Sequence, residues 1–493
     1  MSLVAKTRVK RNAYFDSVVL MRIAAGLTAR PEVDDASLMM GTPANKDILR
    51  EAGLLDDAGS SAGPNDLVIA VRSEDNLVDG LLADAETGLT ALPAPTSAGE
   101  HGARRPRALA QVAGANLALI STPGAYAAAE ALKALKLGMH VFLFSDNVPV
   151  EDEVMLKEEA SHRGLLVMGP DCGTAIINGV PLGFANAVRR GDIGLIGASG
   201  TGSQEISCLV DAGGAGVSQL IGVGSHDLSE KVGARSMLFA FEALDADPAT
   251  KVIVLVSKPP APSVAQKVME RAARSEKQVV VNFIGSKLEA TAPNVHPATT
   301  LAEAAGIACG LSLGRTMHAA PAPPVATRVA GGRTAIRAIF SGGTFAYEAS
   351  LLLGDVKTSI GHWVSGHPIA FPPGHLVLDL GADQFTVGRP HPMIDPTLRV
   401  EFVRAAIQAP DTAVVLLDVV LGTGSADDPA GALAPAIREA EGGPLVIAFV
   451  CGTPGDRQSL AAQHRELSEA GAVLAPSSTA AVQLAADLVG ARV

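Results

Sequence analysis

Read for the spacing of apolar and polar positions, the chain is a succession of short strands and amphipathic helices. Residues 16–29, "DSVVLMRIAAGLTA", carry apolar side chains at helical spacing, and 33–41, "VDDASLMMG", alternate as a half-buried strand does. A proline suited to the first helical turn opens 43–53, "PANKDILREAG", and 65–73, "NDLVIAVRS", is a nearly continuous apolar strand. These predict a small α+β domain of ferredoxin-like type over residues 1–85. From Ala83 to Arg107 the composition turns to Gly, Pro, Ala, Thr and Ser, which predicts a flexible linker.

Three βα-like units follow: "NLALIST" with "PGAYAAAEALKALKLG", "HVFLFSD" with "VEDEVMLKEEASHRG", and "LLVMGPDCGTAII". Apolar strands alternating with amphipathic helices predict a Rossmann-like parallel sheet over 108–190, with ligands beyond the carboxyl ends of its strands. Further on, one unit occurs twice. The strands "DIGLIGA", "QLIGVGS", "KVIVLVS" and "QVVVNFIGS" of residues 191–317 have counterparts in "AIRAIFS", "LVLDLGA", "AVVLLDV" and "PLVIAFVCG" of residues 333–493. A Pro/Ala-rich linker, 318–332, separates the copies. The expected fold class is α/β, with several three-layer parallel-sheet domains behind the small amino-terminal one.

In each copy a Ser/Gly/Thr turn joins the first strand to a helix: "ASGTGSQE" (198–205) and "SGGTFAYE" (341–348). Glycines let backbone N–H groups approach a ligand, and the unpaired N–H groups and macrodipole of a helix start favour an anion. Ser199, Gly200, Thr201 and Gly202, with Ser341, Gly342, Gly343 and Thr344, are therefore candidate phosphate or carboxylate ligands; the alternative at either place is a plain tight turn and N-cap. The first turn has the glycine frame of a Walker A loop, but Ser203 stands where lysine is required, and neither turn has the G-x-G-x-x-G spacing.

The densest group of ionisable side chains is "GRPHPMIDPTLR" (388–399). Arg389 has the forked donors to orient a carboxylate and His391 is a candidate for proton transfer; Asp395 caps the following helix. Lys258 in "SKPP", Asp171 and Cys172 in "GPDCGT" are further candidates for substrate contact, each with a structural alternative. His226 and His296 stand alone in "GVGSHDLS" and "NVHPATT", and "MMGTPANK" (39–46) is either an anion-binding helix start or a turn.

Net charge is −12 over 493 residues, and the one dense basic run, Arg104 to Arg107, sits in the first linker, which argues against nucleic acid. Four cysteines lie far apart without metal-ligand spacing, so no metal site is expected and a reduced, cytoplasmic setting is. No apolar segment reaches the roughly 20 residues of a membrane span.

The runs "NLALISTPGAY", "GDIGLIGASGTGSQEI" and "DADPATKVIVLVSKPP" resemble the α subunit of succinyl-CoA synthetase, and "FSGGTFAYEAS" with "AVVLLDVVLGTG" the carboxyl-terminal domain of its β subunit. "DSVVLMRIA", "MMGTPANK" and "TVGRPHPMIDPTLR" resemble the FdrA family of acyl-CoA-synthetase-like proteins along nearly the whole chain. The first resemblance implies two helix starts facing one shared phosphate site. It also implies a phosphorylatable histidine, an ATP-grasp domain and a Gly-rich CoA loop, none of which has a matching sequence here. The second implies a subunit of an oxamate carbamoyltransferase, interconverting oxalurate plus phosphate with oxamate plus carbamoyl phosphate, with two further subunits and self-association and no required cofactor. The alternatives are a CoA-binding acyl-CoA synthetase-like ligase and a non-catalytic anion-binding scaffold.

Overall fold

The computed structural model describes residues 3–491 except 14, 16, 29, 92–107, 113, 318–319, 322, 324–331, 362, 364–367 and 387–388. Most of both predicted linkers, and the Arg104 to Arg107 run, lie outside the described residues. The chain divides into two compact units, Met1–Arg105 with Asp383–Thr397, and Pro106–Ala382 with Leu398–Val493.

The first unit contains β1 (Leu3–Lys10), α1 (Ser17–Thr28), β2 (Val33–Met40), α2 (Pro43–Glu51), α3 (Asp57–Ser60), β3 (Leu67–Glu74) and α4 (Asp75–Ala91). Strand β3 lies between β1 and β2 and runs antiparallel to both, the split βαβ arrangement of ferredoxin-like folds with three strands. Both faces of β3 are covered, which explains its continuous apolar sequence. Leu67, Ile69 and Val71 pack with Leu20, Leu27 and Leu81, while Val68 and Ala70 pack with Leu49 and Leu54. Strand β1 gives no apolar signal because its alternate residues are cations: Lys6 pairs with Asp75 and Asp79 at 3.0 and 3.1 Å, and Arg8 with Glu86 at 2.8 Å. Helix α4 runs to Ala91, into the segment whose composition reads as linker.

In the second unit β4 (Leu117–Ile120), α5 (Gly124–Lys136), β5 (His140–Leu143), α6 (Val150–Arg163) and β6 (Val167–Met168) form a three-stranded parallel sheet. A hairpin, β7 (Thr174–Ile177) and β8 (Val180–Gly183), leads into the first repeated module. That module comprises β9 (Arg190–Ala198), α7 (Gly200–Ala212), β10 (Val217–Gly222), α8 (Arg235–Ala246), β11 (Val252–Ser257), α9 (Pro262–Ala273), β12 (Gln278–Phe283), β13 (Val295–Pro297) and α10 (Leu301–Leu313). The second comprises β14 (Ala335–Phe340), α11 (Gly343–Leu353), β15 (Leu376–Asp379), α12 (Asp383–Thr386), α13 (Thr397–Gln408), β16 (Thr412–Val420), α14 (Pro429–Arg438), β17 (Leu445–Cys451), α15 (Leu460–Glu469), β18 (Val473–Ala475) and α16 (Ser478–Val489); the segment carrying α12 belongs to the first compact unit.

Strand order demonstrates the duplication. The modules read β10-β9-β11-β12-β13 and β15-β14-β16-β17-β18, the same flavodoxin-like 2-1-3-4-5 order of parallel strands, with the β7–β8 hairpin added beside β10. Strands β11 and β16 are buried along their whole length, as parallel strands covered on both faces must be.

The modules pack with a reciprocal pattern. Glu205 on α7 accepts from the Ser478 N–H at the start of α16 (2.9 Å), and its counterpart Glu348 on α11 accepts from the Leu301 N–H at the start of α10 (2.8 Å) and from Ser478 Oγ (2.9 Å). Each glutamate thus serves the last helix of the other module. Burial, reinforced by Glu348, pushes the Glu205 carboxyl up to about 7 against the opposing bond from Ser478, and burial raises Glu348 as well. Between the ordinary value of 4.5 and about 7 the native chain keeps a proton that the unfolded chain has lost. Stability therefore falls as pH rises through that window and levels off above it. Denaturant unfolding at pH 5 and pH 8 is expected to show a loss of about 2–3 kcal/mol, at about 1.4 kcal/mol per pH unit, and a clearly smaller loss in Glu205→Gln.

Candidate functional site

In a 2-1-3-4-5 sheet the connections leave to opposite sides at the carboxyl ends of the first and third strands, opening a crevice there. Both glycine turns stand at that switch point. Helices α7 and α11 have Ser199 and Gly342 as N-caps, neither with a side-chain cap bond, and the two starts touch. Ser199 Oγ lies 2.7 Å from Thr344 Oγ1. Reciprocally, a Cβ on Gly342 would stand 2.9 Å from the Thr201 methyl, and one on Gly202 would stand 2.5 Å from Ser199 Oγ and 3.0 Å from the Thr344 methyl. Glycine is required at 202 and 342 by this approach. The paired hydroxyls share one hydrogen, which leaves the other O–H for a ligand.

The two starts are chemically unequal. At α7 the N–H groups of the first turn have no intrahelical acceptors. Beside them, the buried Thr174 Oγ1 has no hydrogen-bond partner among the described residues and lies 3.5 Å from where a Cβ on Gly200 would stand. At α11 a carboxylate is already present: Asp379 Oδ2 would lie 2.6 Å from a Cβ on Gly343. Ser341 faces inward, its N–H and Oγ both donating to the buried Asp418 carboxylate, Oγ at 2.7 Å. Asp418 in turn pairs with the buried Arg399. Ser341 thus braces its turn from within.

Lys258 lies at the same end of the sheet. Ser257 at the end of β11 is in register with Ala198 at the end of β9, so Lys258 is level with Ser199. It is exposed, with Nζ 5.8 Å from the centre of the Tyr347 ring of α11. Asp171, in a left-handed conformation (φ 53°), reaches solvent from a recess whose desolvation raises its carboxyl pKa; a bond from Ser225 and the charges of His226 and Lys258 oppose the rise. Cys172 is a core residue packed with Met168 and Ile196, its thiol pushed by burial up to about 12, so it is corrected from candidate ligand to packing residue.

Arg389 and His391 fall in the compact unit of the amino-terminal domain, whereas both glycine turns fall in the other. Arg389 there helps hold down the carboxyl of Asp35, which burial raises, and His391 Nδ1 accepts from the Met393 N–H (3.2 Å), placing the neutral ring's proton on Nε2. Asp395 accepts from the Thr397 N–H (2.9 Å) at the start of α13. His296 Nε2 bonds Gln278 at the amino end of β12, the end opposite the crevice. Thr42 caps α2 by accepting from the Asn45 N–H, and Asn45 Nδ2 donates to Met40, so that turn closes on itself.

With this geometry in view, relatives are informative. YahF of Escherichia coli K12 is 42% identical over 511 aligned positions, covering 98% of either chain. The chain belongs to the YahF family. Within it, residues 1–106 match the AllF heavy metal-associated domain, 188–285 the CoA binding domain and 339–488 the CoA-ligase family. This YahF-family chain is therefore of the succinyl-CoA-synthetase type with an AllF-type amino-terminal domain. The mitochondrial succinate–CoA ligase α-2 subunit of Trichomonas vaginalis is 28% identical over 204 positions, 40% of this chain and 62% of that one. Among solved structures, the dinucleotide-forming acetyl-coenzyme A synthetase 1 of Ca. Korarchaeum cryptofilum aligns with 80% of this chain and 89% of its own at 17% identity and a TM-score of 0.36.

The heavy-metal name of the first domain does not fit its side chains. Residues 1–106 contain no cysteine, and no group of three or more His, Cys, Asp or Glu that could hold a metal occurs among the described residues. No helix among them is long and apolar enough to cross a membrane.

Proposed function

We propose that this chain is an acyl-CoA-ligase-type subunit that holds the phosphoryl group of an acyl phosphate at the start of α7. The N–H groups of Gly200, Thr201 and Gly202 face the phosphate, Ser199 and Thr344 add a hydroxyl donor, and Lys258 supplies positive charge at the rim. The observation carrying this reading is the 2.7 Å contact of Ser199 Oγ with Thr344 Oγ1, which joins two helix starts from separate modules into one place. Donors fixed in advance stabilise charge gained by the departing phosphate, roughly 3–4 kcal/mol for a well-aimed one. The CoA-ligase and CoA binding matches favour CoA as the acyl acceptor.

Carbamoyl transfer between phosphate and oxamate is the second reading; Arg389 and His391 belong to the other compact unit and are given no part in the α7 site. That transfer is favoured by the AllF-type domain and by the start of α5, where the carbonyl oxygens of Asp146 and Asn147 would overlap a Cβ on Gly124. Carbonyl oxygens crowding that helix start repel a CoA phosphate. In either case the chain works as a cytoplasmic protein that associates with itself and two further subunits.

The full chain, alone and coexpressed with the products of adjacent genes, is to be assayed with acetyl phosphate plus CoA and with oxalurate plus phosphate. Acetyl-CoA formation supports the ligase, and carbamoyl phosphate formation supports the transferase. Absence of inorganic phosphate binding to the wild-type chain overturns both.

A further inference from the structure

A buried ionic cluster behind the crevice is used by none of the roles above. Lys157 on α6 is 1% exposed, and its three ammonium hydrogens are all engaged: Glu153 Oε1 at 2.7 Å, Asp227 Oδ1 at 2.7 Å and the Val223 carbonyl at 3.0 Å. The Asp227 carboxylate also accepts the Ser236 and Met237 N–H groups at the start of α8 (3.1 and 2.9 Å). One ammonium against two carboxylates leaves one negative charge in excess, in a place where an uncompensated charge is costly. Glu153 Oε2 is fully buried and without a hydrogen-bond partner among the described residues. That oxygen faces His226 Nδ1 at 3.6 Å, and the His226 side chain is 55% exposed.

His226 follows β10 at the same edge of the sheet as the start of α7: the Val223 N–H donates to the Gly197 carbonyl (2.8 Å), two residues before Ser199. The charged groups around the imidazole are Glu153 from α6 and Asp171 from the loop before β7, with Lys157 and Asp227 acting on Glu153. Asp171 is also within the field of Asp146 and Lys258. The His226 imidazole thus has a buried carboxylate behind Nδ1 while more than half of its side chain is open to solvent, a setting suited to a proton acceptor.

Resting on the acyl-phosphate reading, we infer that His226, oriented by the buried Glu153, is the general acid–base of the α7 site. In the forward step the acceptor's S–H or N–H bond breaks, its proton passes to His226 Nε2, and its electron pair forms the new bond to the acyl carbon. The bond from that carbon to the phosphate oxygen breaks, and phosphate departs with the pair. The imidazolium then returns the proton to phosphate or water, and the reverse reaction uses the same proton in the opposite sense. Glu153 is a positioning residue: its charge stabilises the imidazolium. Burial, the main cause, raises the carboxyl pKa of Glu153 against the opposing charge and hydrogen bond of Lys157.

The test is a histidine NMR titration of the full chain, with the His226 signal assigned by its loss in His226→Asn and with inorganic phosphate as the probe. Phosphate is expected to shift the His226 ring signals of the wild-type chain, and the shift to be reduced in Glu153→Gln, where the positioning carboxylate is gone. In acyl-transfer assays His226→Asn is expected to reduce kcat about 100-fold or more, the usual scale of general acid–base catalysis, with phosphate affinity changed less than about threefold. Phosphate that binds without moving the His226 ring signals overturns this inference and leaves the phosphate site standing. Failure of phosphate to bind the wild-type chain overturns the site itself, and the inference with it. His226→Asn alters an exposed side chain, so it reports even if Glu153→Gln fails to fold.

Discussion

Asp418→Ala is expected to cost about 3–5 kcal/mol of stability, the range found when one partner of a buried ion pair is removed. Asp418 is fully buried and serves three groups at once: the Ser341 N–H, the Ser341 hydroxyl and the Arg399 guanidinium. Alanine leaves Arg399, 3% exposed, as an uncompensated cation bonded only to carbonyls such as that of Ile339. It also orphans the donors that hold the turn into α11. Asp418→Asn retains an acceptor for Ser341 but not the charge, so its cost should fall between wild type and alanine. A denaturation midpoint for Asp418→Ala equal to that of wild type would exclude this account of the second turn.

Gly342→Val should weaken phosphate binding sharply while leaving most of the fold intact. The backbone at 342 (φ −106°, ψ 114°) is open to any residue, so the effect is one of space alone. A Cβ there would stand 2.6 Å from the Phe345 ring and 2.9 Å from the Thr201 methyl, and valine adds two more carbons. Separation of the helix starts breaks the contact of Ser199 with Thr344, and a loss of about 100-fold in phosphate affinity, about 3 kcal/mol, is expected. Ser199→Ala removes only one hydroxyl and should cost about tenfold or less, on the scale of one hydrogen bond. Isothermal calorimetry on the three proteins gives the ranking, and equal affinity in Gly342→Val and wild type would contradict the shared site.

Much of this architecture is legible in the sequence because parallel strands buried on both faces are written as uninterrupted apolar runs. "KVIVLVS" and "AVVLLDV" gave β11 and β16, and the repeated Ser/Gly/Thr turn marked the duplication that the strand order bears out. Strand β1 was not legible, since its alternating cations are held by acids of α4 rather than by apolar packing. Of the site, the two turns and Lys258 could be read, because a glycine turn between strand and helix has a local signature. Thr174, Asp379, Asp418 and the Glu153–Lys157–Asp227 cluster could not, since each acts across the fold on residues distant in sequence. The Glu205 and Glu348 pair left a usable sign: the two acids occupy the same position in the repeated turn, four residues after Thr201 and Thr344.

The central claim is that one anion is held where two sister modules bring their helix starts together. The most direct measurement is the stoichiometry of inorganic phosphate binding to the wild-type chain by calorimetry, repeated with Gly202→Val and Gly342→Val. One phosphate per chain, lost in both variants although each alters a different module, is the predicted result. Two phosphates per chain, or binding that survives either substitution unchanged, would contradict it.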